Sequence, residues 1–197
     1  MAKVVADMSM SLDGFVADPS DGIELLFDWH RNGDVVVPTA DPQRSFRTSA
    51  ASAAVLREML DNIGAVVCGR RLFDIAGGWG GKHPLGVPVL VVTHTVPDGW
   101  PRDGAPFTFV TEGVEAAIAR AKVVAGNGWV GVGGADIVQQ CLNGGLLDEI
   151  RVDLVPVLVG RGIRLFDKMA AGPMRLQTTR VIEGNDVTHV HHRVPRA

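Results

Sequence analysis

The stretch that decides the fold is Trp129-Val130-Gly131-Val132-Gly133-Gly134-Ala135-Asp136-Ile137-Val138. A short β-like run is followed directly by paired glycines and then by the start of a helix. Glycine lets the main chain approach a ligand closely because it has no Cβ, and a helix N-terminus offers unpaired N–H donors and a partial positive charge. The stretch therefore predicts a phosphate-binding turn, although a plain tight turn can have the same sequence.

On both sides of this stretch, strand-like and helix-like segments alternate over the first three quarters of the chain. Short apolar runs predict strands, and helical spacing of apolar residues predicts helices. The predicted strands are 4–10, 65–68, 87–93, 107–110, 129–132 and 149–156, and the predicted helices are 23–31, 49–63, 69–75, 114–124 and 135–142. Gly64 is expected to cap the second of these helices, and residues 32–48, with Pro38 and Pro42, are expected to be irregular.

The chain ends in two runs, 174–181 and 187–193, that alternate apolar and polar residues as an antiparallel pair does, with a turn at Gly184-Asn185. Together the elements predict one α/β domain over residues 1–197. We expect a three-layer sandwich with a mixed, mostly parallel sheet, helices on both faces and an antiparallel C-terminal edge.

Composition excludes several classes of function. The chain has 197 residues, 46% hydrophobic and 21% charged, which is ordinary for a soluble globular protein. A net charge of −3 gives no basic surface for nucleic acid, and no apolar run reaches the ~18 residues of a membrane span. Cys68 and Cys141 lie far apart in apolar segments, so we expect buried free thiols and a cytoplasmic location.

Three predicted strands end in donor-rich segments, namely Gly69-Arg70-Arg71, Thr93-His94-Thr95 and Gly133-Gly134. Parallel sheets bind ligands at the carboxyl ends of their strands, so guanidinium groups, hydroxyls, an imidazole and bare amides are expected at one edge. A dinucleotide with a pyrophosphate and an extra 2′-phosphate needs such an inventory. Taken singly, the arginines fit solvated first-turn residues and Thr93 fits a cap.

The loop after the first strand, Ser11-Leu12-Asp13-Gly14-Phe15-Val16-Ala17, is expected to leave from the same edge. Leu12 and Phe15 are candidates to cover an apolar ring. Asp13 is a candidate either to hold the shape of the loop or to touch a substrate, and a plain Asp-Gly turn is the simpler alternative.

This combination of motifs resembles the dihydrofolate-reductase-like superfamily. The resemblance rests on the loop 11–17, on Gly69-Arg70-Arg71-Leu72-Phe73, on Gly133-Gly134-Ala135 and on 154–162. It is closest to the C-terminal reductase domain of the bacterial bifunctional riboflavin deaminase–reductase. The resemblance implies a mixed sheet of about eight strands, NADPH as the hydride donor, and a homodimer or substrate rim at 158–162.

The same resemblance assigns cofactor positions to the strand ends. It implies that Gly69, Arg70 and Arg71 lie at the adenosine phosphates, and that Thr93, His94 and Thr95 take the 2′-phosphate side. It also implies that Gly133, Gly134, Ala135 and Asp136 cradle the pyrophosphate, and that the loop from Asp13 to Ala17 closes over the nicotinamide. The expected activity is reduction of a small heterocycle, either a ribosylaminopyrimidine or a pteridine. A nucleotide- or flavin-binding module without turnover is the alternative.

The substrate side is less well defined by the sequence. Asp28 is the candidate carboxylate on the first helix, and Trp29 and Trp79 are candidates to stack on a flat ring, with solvated and core positions as the alternatives. The chain has no tyrosine, so the proton for a reduction is expected from water or from an unassigned carboxyl group. His189, His191 and His192 are expected to be surface residues of a strand, and no metal site is expected.

Overall fold

The computed structural model describes residues 2–170 and 172–195. The strands are β1 (Val4–Ser11), β2 (Phe15–Ala17), β3 (Val35–Pro38), β4 (Ser45–Thr48), β5 (Ile63–Gly69), β6 (Val89–Val92), β7 (Phe107–Val110), β8 (Trp129–Gly133), β9 (Glu149–Val155), β10 (Ile163–Arg164), β11 (Gln177–Gly184) and β12 (Val187–Arg193). The α-helices are α1 (Glu24–Phe27), α2 (Ala50–Asn62), α3 (Arg70–Ile75), α4 (Val114–Ala125) and α5 (Ala135–Asn143), and 3-10 turns cover Asp28–His30 and Gly77–Gly81.

Eight strands form one sheet in the order β11-β12-β9-β1-β8-β5-β6-β7. Strand β1 lies between β8 and β9 and is parallel to both, and β5, β6, β7 and β8 continue the parallel pairing. Strand β12 is antiparallel to β9 and β11. The structure thus confirms the mostly parallel sheet and its antiparallel C-terminal edge.

Helices cover both faces of this sheet. Helices α4 and α5 pack against β5 and β8, and their core includes Ile118, Val138 and Val152. Helix α2 packs on the opposite face, where Leu56 lies in one cluster with Val155 of β9. Neighbouring residues of a strand face opposite sides, which explains why Val152 and Val155 belong to different clusters. Among the described residues, no helix is long and apolar enough to cross a membrane.

The segment predicted to be irregular contains a hairpin. Strands β3 and β4 pair antiparallel from Val35 opposite Thr48 to Pro38 opposite Ser45. Proline is compatible with this arrangement because Pro38 ends an edge strand and no ladder continues beyond it. The prediction of irregular structure was wrong because the β-branched run Val35-Val36-Val37 forms a strand in spite of the prolines that follow it.

The end of helix α2 also differs from the expectation. Helix α2 ends at Asn62, and Gly64 lies inside β5 and does not cap the helix. A Cβ at Gly64 would lie 2.7 Å from the carbonyl oxygen of Ala125. Glycine is therefore required at this position by the close approach of the end of α4, and the predicted C-cap was wrong.

Candidate functional site

The carboxyl ends of the parallel strands meet at one edge of the sheet, which we call the ligand edge. The loop after β1, the start of α3 after β5, the segment after β6 and the start of α5 after β8 all leave from it. The structure therefore brings the donor-rich segments of the sequence to the same side of the molecule, as the parallel pairing requires.

Bare glycine backbone lies between two helix starts at the ligand edge. Gly134 precedes α5 with a φ of +89° and places no capping side chain over the free N–H groups of the helix. A Cβ at Gly133 would lie 3.5 Å from Leu72 of α3, and one at Gly69 would lie 3.2 Å from Ile137 of α5. The starts of α3 and α5 are thus in contact, and their amide donors lie close together.

The two arginines of this edge are held by carboxylates. Nε of Arg70 donates to Asp74 at 2.8 Å, and its NH1 group donates to the carbonyl oxygen of Thr95 at 3.0 Å. The guanidinium of Arg71 makes a two-pronged contact with Asp21 at 2.8–3.1 Å. Both arginines lie near the strand ends, and an incoming phosphate would exchange with these carboxylates.

The segment after β6 forms a small turn stabilised by its own threonine. The hydroxyl of Thr93 donates to the carbonyl oxygen of Thr95 at 2.7 Å and accepts from the Thr95 amide. Thr93 is buried, whereas His94 and Thr95 are exposed. Since Arg70 contacts the same carbonyl oxygen, the first and second donor segments of the prediction share one hydrogen-bond network.

The first turn of α5 carries an acidic residue. Asp136 is exposed, accepts a hydrogen bond from Gln140 at 2.6 Å and lies 3.8 Å from the ammonium group of Lys168. Ala135 is buried beside it. A carboxylate at a helix N-terminus interacts favourably with the helix dipole, but it repels a second anion. Backbone N–H groups are therefore better hydrogen-bond donors to a phosphate at this position than the Asp136 side chain is.

Asp13 ties the loop after β1 to the segment after β9. Its carboxylate accepts from the Ser11 hydroxyl at 2.6 Å and from the backbone N–H groups of Gly160 and Val159 at 2.7 and 3.1 Å. These hydrogen bonds, led by that of Ser11, lower the pKa of Asp13 to about 2. At neutral pH Asp13 is therefore a structural carboxylate and has no proton to donate.

Phe15 and Ala17 lie in the short strand β2 and are both buried. The guanidinium of Arg164 lies over the Phe15 ring at 4.4 Å. A Cβ at Gly162 would come within 2.1 Å of the Ala17 carbonyl oxygen. The loop is consequently packed against 162–164, and a ligand ring would meet Phe15 only after Arg164 moves.

Of the two tryptophans proposed for the substrate side, Trp29 is a core residue and Trp79 is partly buried against a core cluster. Trp29 is 1% exposed, and its indole N–H donates to the Ser9 hydroxyl at 3.1 Å. Trp79 stacks on Phe107 at 5.9 Å and contacts His83. Asp28, in contrast, is exposed. The structure brings Trp29 next to β1 but does not bring Trp79 to the same place.

A cleft of about 490 Å³ opens at the N-terminus of α2, beside the turn between β11 and β12. We call it the polar cleft. Its polar lining residues are Arg31, Asn32, Asp34, Arg47, Ser49 and Asn185. No sequence pattern marks this cleft, because its residues come from four separate segments and follow no spacing rule.

The polar cleft lies on the same side of the sheet edge as the end of β9. Strand β12 begins at Val187, and Thr188 pairs with Leu154 near the carboxyl end of β9. The cleft and the glycine turn of Gly133 are thus on opposite sides of β1 along one edge. This arrangement leaves the end of β1 between two separate candidate subsites.

Two of the three histidines of β12, His189 and His191, are buried, so the prediction of surface positions was wrong for these two, whereas His192 is partly exposed. His189 and His191 are 0% and 3% exposed because α2 covers their face of the sheet. His189 contacts Asp153 at 2.6 Å and Ser52 at 2.8 Å, and burial lowers the pKa of His191 to about 4. Within the described ranges, no cluster of His, Cys, Asp and Glu could hold a metal ion.

Two further charged residues share the face beneath α2. Asp7 of β1 pairs in register with Arg151 of β9, and burial, followed by the nearby Asp153, raises the pKa of Asp7 well above its usual value. The sequence signal for this buried polar layer was the alternation of polar residues in β1 and β9, Asp7-x-Ser9-x-Ser11 and Arg151-x-Asp153.

Known proteins resemble the chain over its whole length. An uncharacterised protein of Bacillus subtilis, YwjB, is 25% identical over 85% of this chain and 84% of its own. The solved structure of a riboflavin biosynthesis protein from Shewanella sp. PV-4 has a TM-score of 0.74 at 20% identity. The match covers 100% of this chain and 100% of that protein.

Two other solved structures relate the fold to reductases. The Thermotoga maritima diaminohydroxyphosphoribosylaminopyrimidine deaminase/5-amino-6-(5-phosphoribosylamino)uracil reductase has a TM-score of 0.65 at 13% identity, over 98% of this chain and 57% of the enzyme. Dihydrofolate reductase from Enterococcus faecalis, complexed with NADP(H), has a TM-score of 0.56 at 14% identity, over 98% and 96% of the two chains. The fold is therefore dihydrofolate-reductase-like. The RibD C-terminal domain family matches residues 2–189, and the chain belongs to that family.

Proposed function

We propose that the protein is an NADPH-dependent reductase of a small heterocyclic ring of the pyrimidine or pteridine type. The observation that carries the proposal is the glycine backbone at Gly133 and Gly134, which lies bare between the touching starts of α3 and α5. Such a surface suits a pyrophosphate, because amide donors can approach it without a Cβ in the way. Family membership supports the same activity.

The residues of the ligand edge fit a phosphorylated nicotinamide cofactor. Gly69, Gly133 and Gly134 would hold the pyrophosphate through backbone donors, while Arg70 and Arg71 would provide guanidinium groups for a further phosphate. The Enterococcus faecalis enzyme of the same fold is complexed with NADP(H), which agrees with this choice. A reduced nicotinamide, when bound, supplies the hydride.

The remaining tasks belong to the protein chain. The loop 11–17, fixed by Asp13 to Gly160, would exclude water from the reacting ring. The polar cleft on the other side of β1 would take the substrate, and its volume of about 490 Å³ suits a small molecule. Arg31 and Arg47 of its lining would favour a substrate that carries negative charge.

We expect the enzyme to work in the cytoplasm and as a homodimer, in line with the resemblance described above. Light scattering on the purified protein measures the second of these. A mass near twice the 20.9 kDa of one chain supports the dimer, and a mass of one chain contradicts it.

Cofactor titration followed by single turnover tests the function. Tryptophan fluorescence would follow titration with NADPH, NADH and FMN, and NADPH absorbance would then follow oxidation by dihydrofolate and by 5-amino-6-(5-phosphoribosylamino)uracil. Binding of NADPH followed by its oxidation supports the proposal. Binding without oxidation by any ring would instead favour a nucleotide-binding module, and failure to bind any of the three cofactors would refute both.

Gly133→Ala is the variant that tests the site. The added Cβ meets only ordinary contact with Leu72 at 3.5 Å, so the fold should persist. Losing one phosphate contact costs about 1.5–3 kcal/mol, or roughly 10- to 100-fold in NADPH affinity. The matched control is Gly144→Ala at the opposite end of α5, where NADPH affinity should not change.

A further inference from the structure

Four side chains form a continuous hydrogen-bonded chain from the core to the polar cleft. Asp153 of β9 contacts Nδ1 of His189 at 2.6 Å, and Nε2 of His189 contacts the Ser52 hydroxyl at 2.8 Å. The Ser52 hydroxyl in turn lies 3.1 Å from the hydroxyl of Ser49. Each distance is within hydrogen-bond range, so the chain has no break between Asp153 and Ser49.

The chain of hydrogen bonds is closed to solvent at its inner part and open at its outer end. Ser52 and His189 are both 0% exposed, whereas Ser49 lines the polar cleft. Gly184 seals the inner part, since a Cβ at this position would lie 2.2 Å from the Ser52 hydroxyl. Ser49 is therefore the member of the hydrogen-bonded series that faces the polar cleft.

The surroundings of His189 favour proton exchange through Ser52. Asp153 is the hydrogen-bonded carboxylate, and the Trp29 ring lies across the imidazole at 5.1 Å. Nearby His30 has a pKa lowered to about 4, mainly by burial, and is neutral at pH 7. Asp7 beneath Asp153 has a pKa raised by burial. Asp153 is therefore the carboxylate that orients the His189 ring, with Nδ1 toward Asp153 and Nε2 toward Ser52.

We propose that Ser49, Ser52, His189 and Asp153 are a proton relay that exchanges a proton with the ring reduced in the polar cleft. The proposal rests on the proposed function and names a source for the proton that the sequence left unassigned. Ser52, His189 and Asp153 have the order of a nucleophilic triad. Ser52 is enclosed, however, so the reacting hydroxyl is that of Ser49 and no covalent intermediate forms.

The proposed reduction requires one hydride and one proton. A reduced nicotinamide, when bound, would supply a hydride with its two electrons to the ring carbon of a C=N bond, and the ring nitrogen would take a proton from Ser49. Ser49 recovers a proton from Ser52, and Ser52 recovers one from Nε2 of the His189 imidazolium. His189 becomes neutral and keeps its Nδ1 proton toward Asp153. Water in the open cleft returns one proton by the same route after the product leaves.

The position of the polar cleft agrees with this use. Strands β8 and β12 are separated by β1 and β9 in the sheet, and neighbouring strands are about 4.8 Å apart, so the two subsites lie roughly 15 Å from each other. The phosphates and the substrate would therefore bind on opposite sides of β1, with the nicotinamide between them.

Hydrogen exchange at His189 tests the relay without any cofactor. Ser49→Thr and Ser49→Asn both keep a side chain that can cap α2, but only threonine keeps the hydroxyl. Exchange of the His189 ring N–H with water would be measured by NMR on the full chain, with His189→Gln to identify the signal. Exchange should slow at least tenfold in Ser49→Asn and return in Ser49→Thr. An unchanged rate in Ser49→Asn would overturn the relay.

Single-turnover NADPH oxidation tests its use in catalysis. Ser49→Asn should lower the rate at least tenfold with unchanged NADPH affinity and an altered solvent deuterium isotope effect, and Ser49→Thr should restore the rate. A full rate in Ser49→Asn would refute the catalytic role. If the unsubstituted protein oxidises no NADPH, the proposed function fails, while the exchange experiment still decides whether the relay exists.

Discussion

The carboxylate of Asp13 accepts a hydrogen bond from the backbone N–H of Gly160 at 2.7 Å, so the loop after β1 is fixed to the segment after β9. A second backbone bond, from Val159, strengthens the contact. The two segments flank the ligand edge, and their connection makes this part of the site rigid before a ligand arrives.

Asp13→Ala should lower the melting temperature, and the loss should depend on pH. The pKa of Asp13 in the folded protein is about 2, below its ordinary value of 3.8. Its stabilising effect is therefore complete above about pH 4 and is lost as the pH falls through 2. Thermal unfolding at pH 7, 5, 3 and 2 measures this, with Asp98→Ala at an exposed position as the control. A difference that stays constant down to pH 2 would show that the carboxylate charge is not responsible.

The sheet could be predicted because its central strands carry their own signals. Residues 65–68 and 129–132 are apolar, glycine-flanked and followed by helix starts, and buried parallel strands have this pattern. The burial of side chains in β12, next to the edge strand β11, could not be predicted in the same way. The alternation in β12 shows that His189 and His191 share a face, but only the packing of α2 determines that this face is covered.

The positions of some candidate site residues follow from the predicted sheet, and those of others do not. Segments that follow strands, such as Gly69 and Gly133, could be placed because parallel strands have one common direction. The hydrogen bond between Ser52 and His189 joins residues 137 positions apart, and the polar cleft brings Asn185 next to residues 31–35. Such contacts arise from tertiary packing, for which a single sequence contains no local pattern.

Arg71→Gln should weaken NADPH more than NADH, since a guanidinium is needed only for the extra phosphate. In the free protein Asp21 occupies this guanidinium with contacts of 2.8–3.1 Å, so Asp21→Asn should have the opposite effect. An exposed ion pair contributes about 0–1 kcal/mol, and the expected gain in NADPH affinity is therefore up to about fivefold. Fluorescence titration of both cofactors measures the difference, with Arg120→Gln in α4 as the control. Equal changes for the two cofactors would place the 2′-phosphate elsewhere.

His30 should make the protein sensitive to mild acid. Burial lowers its pKa from 6.5 to about 4 in the folded state, so between these values the unfolded chain binds more protons. Stability therefore falls as the pH drops from 6.5 to 4, by about 3 kcal/mol for this residue.

His30→Phe should lower the slope of unfolding free energy against pH by the amount that corresponds to one proton. The phenylalanine should keep the ring contacts with Trp29 and Phe46. Urea unfolding at pH 7.5, 5.5 and 4.5 gives the slopes. Phe27→Leu changes a contact of the same ring without removing a titrating group, so its slope should equal that of the unsubstituted protein. The same slope in His30→Phe would mean that His30 is protonated in the folded state.

Glu58 should contribute more to the stability of the fold than Arg180, its exposed partner. Its carboxylate accepts from Arg151 at 3.1 Å and from Arg180 at 2.6 Å. The Arg151 side chain is 4% exposed, whereas that of Arg180 is 45% exposed. Glu58→Gln removes one of the two carboxylates that compensate the buried guanidinium of Arg151. The variant should lose about 1–3 kcal/mol of unfolding free energy, and no more than that because Glu149 still pairs with Arg151.

Arg180→Gln should cost less than about 1 kcal/mol, since water solvates an exposed charge after its partner is lost. Urea unfolding of both variants at pH 7 gives the comparison. The double variant Glu58→Gln with Arg151→Met should regain stability relative to Glu58→Gln alone, because the partly uncompensated buried charge is then removed and Lys3 still pairs with Glu149. Equal costs for the two single variants, with no recovery in the double variant, would show that Glu58 stabilises the protein through packing and that its charge has no part in the effect.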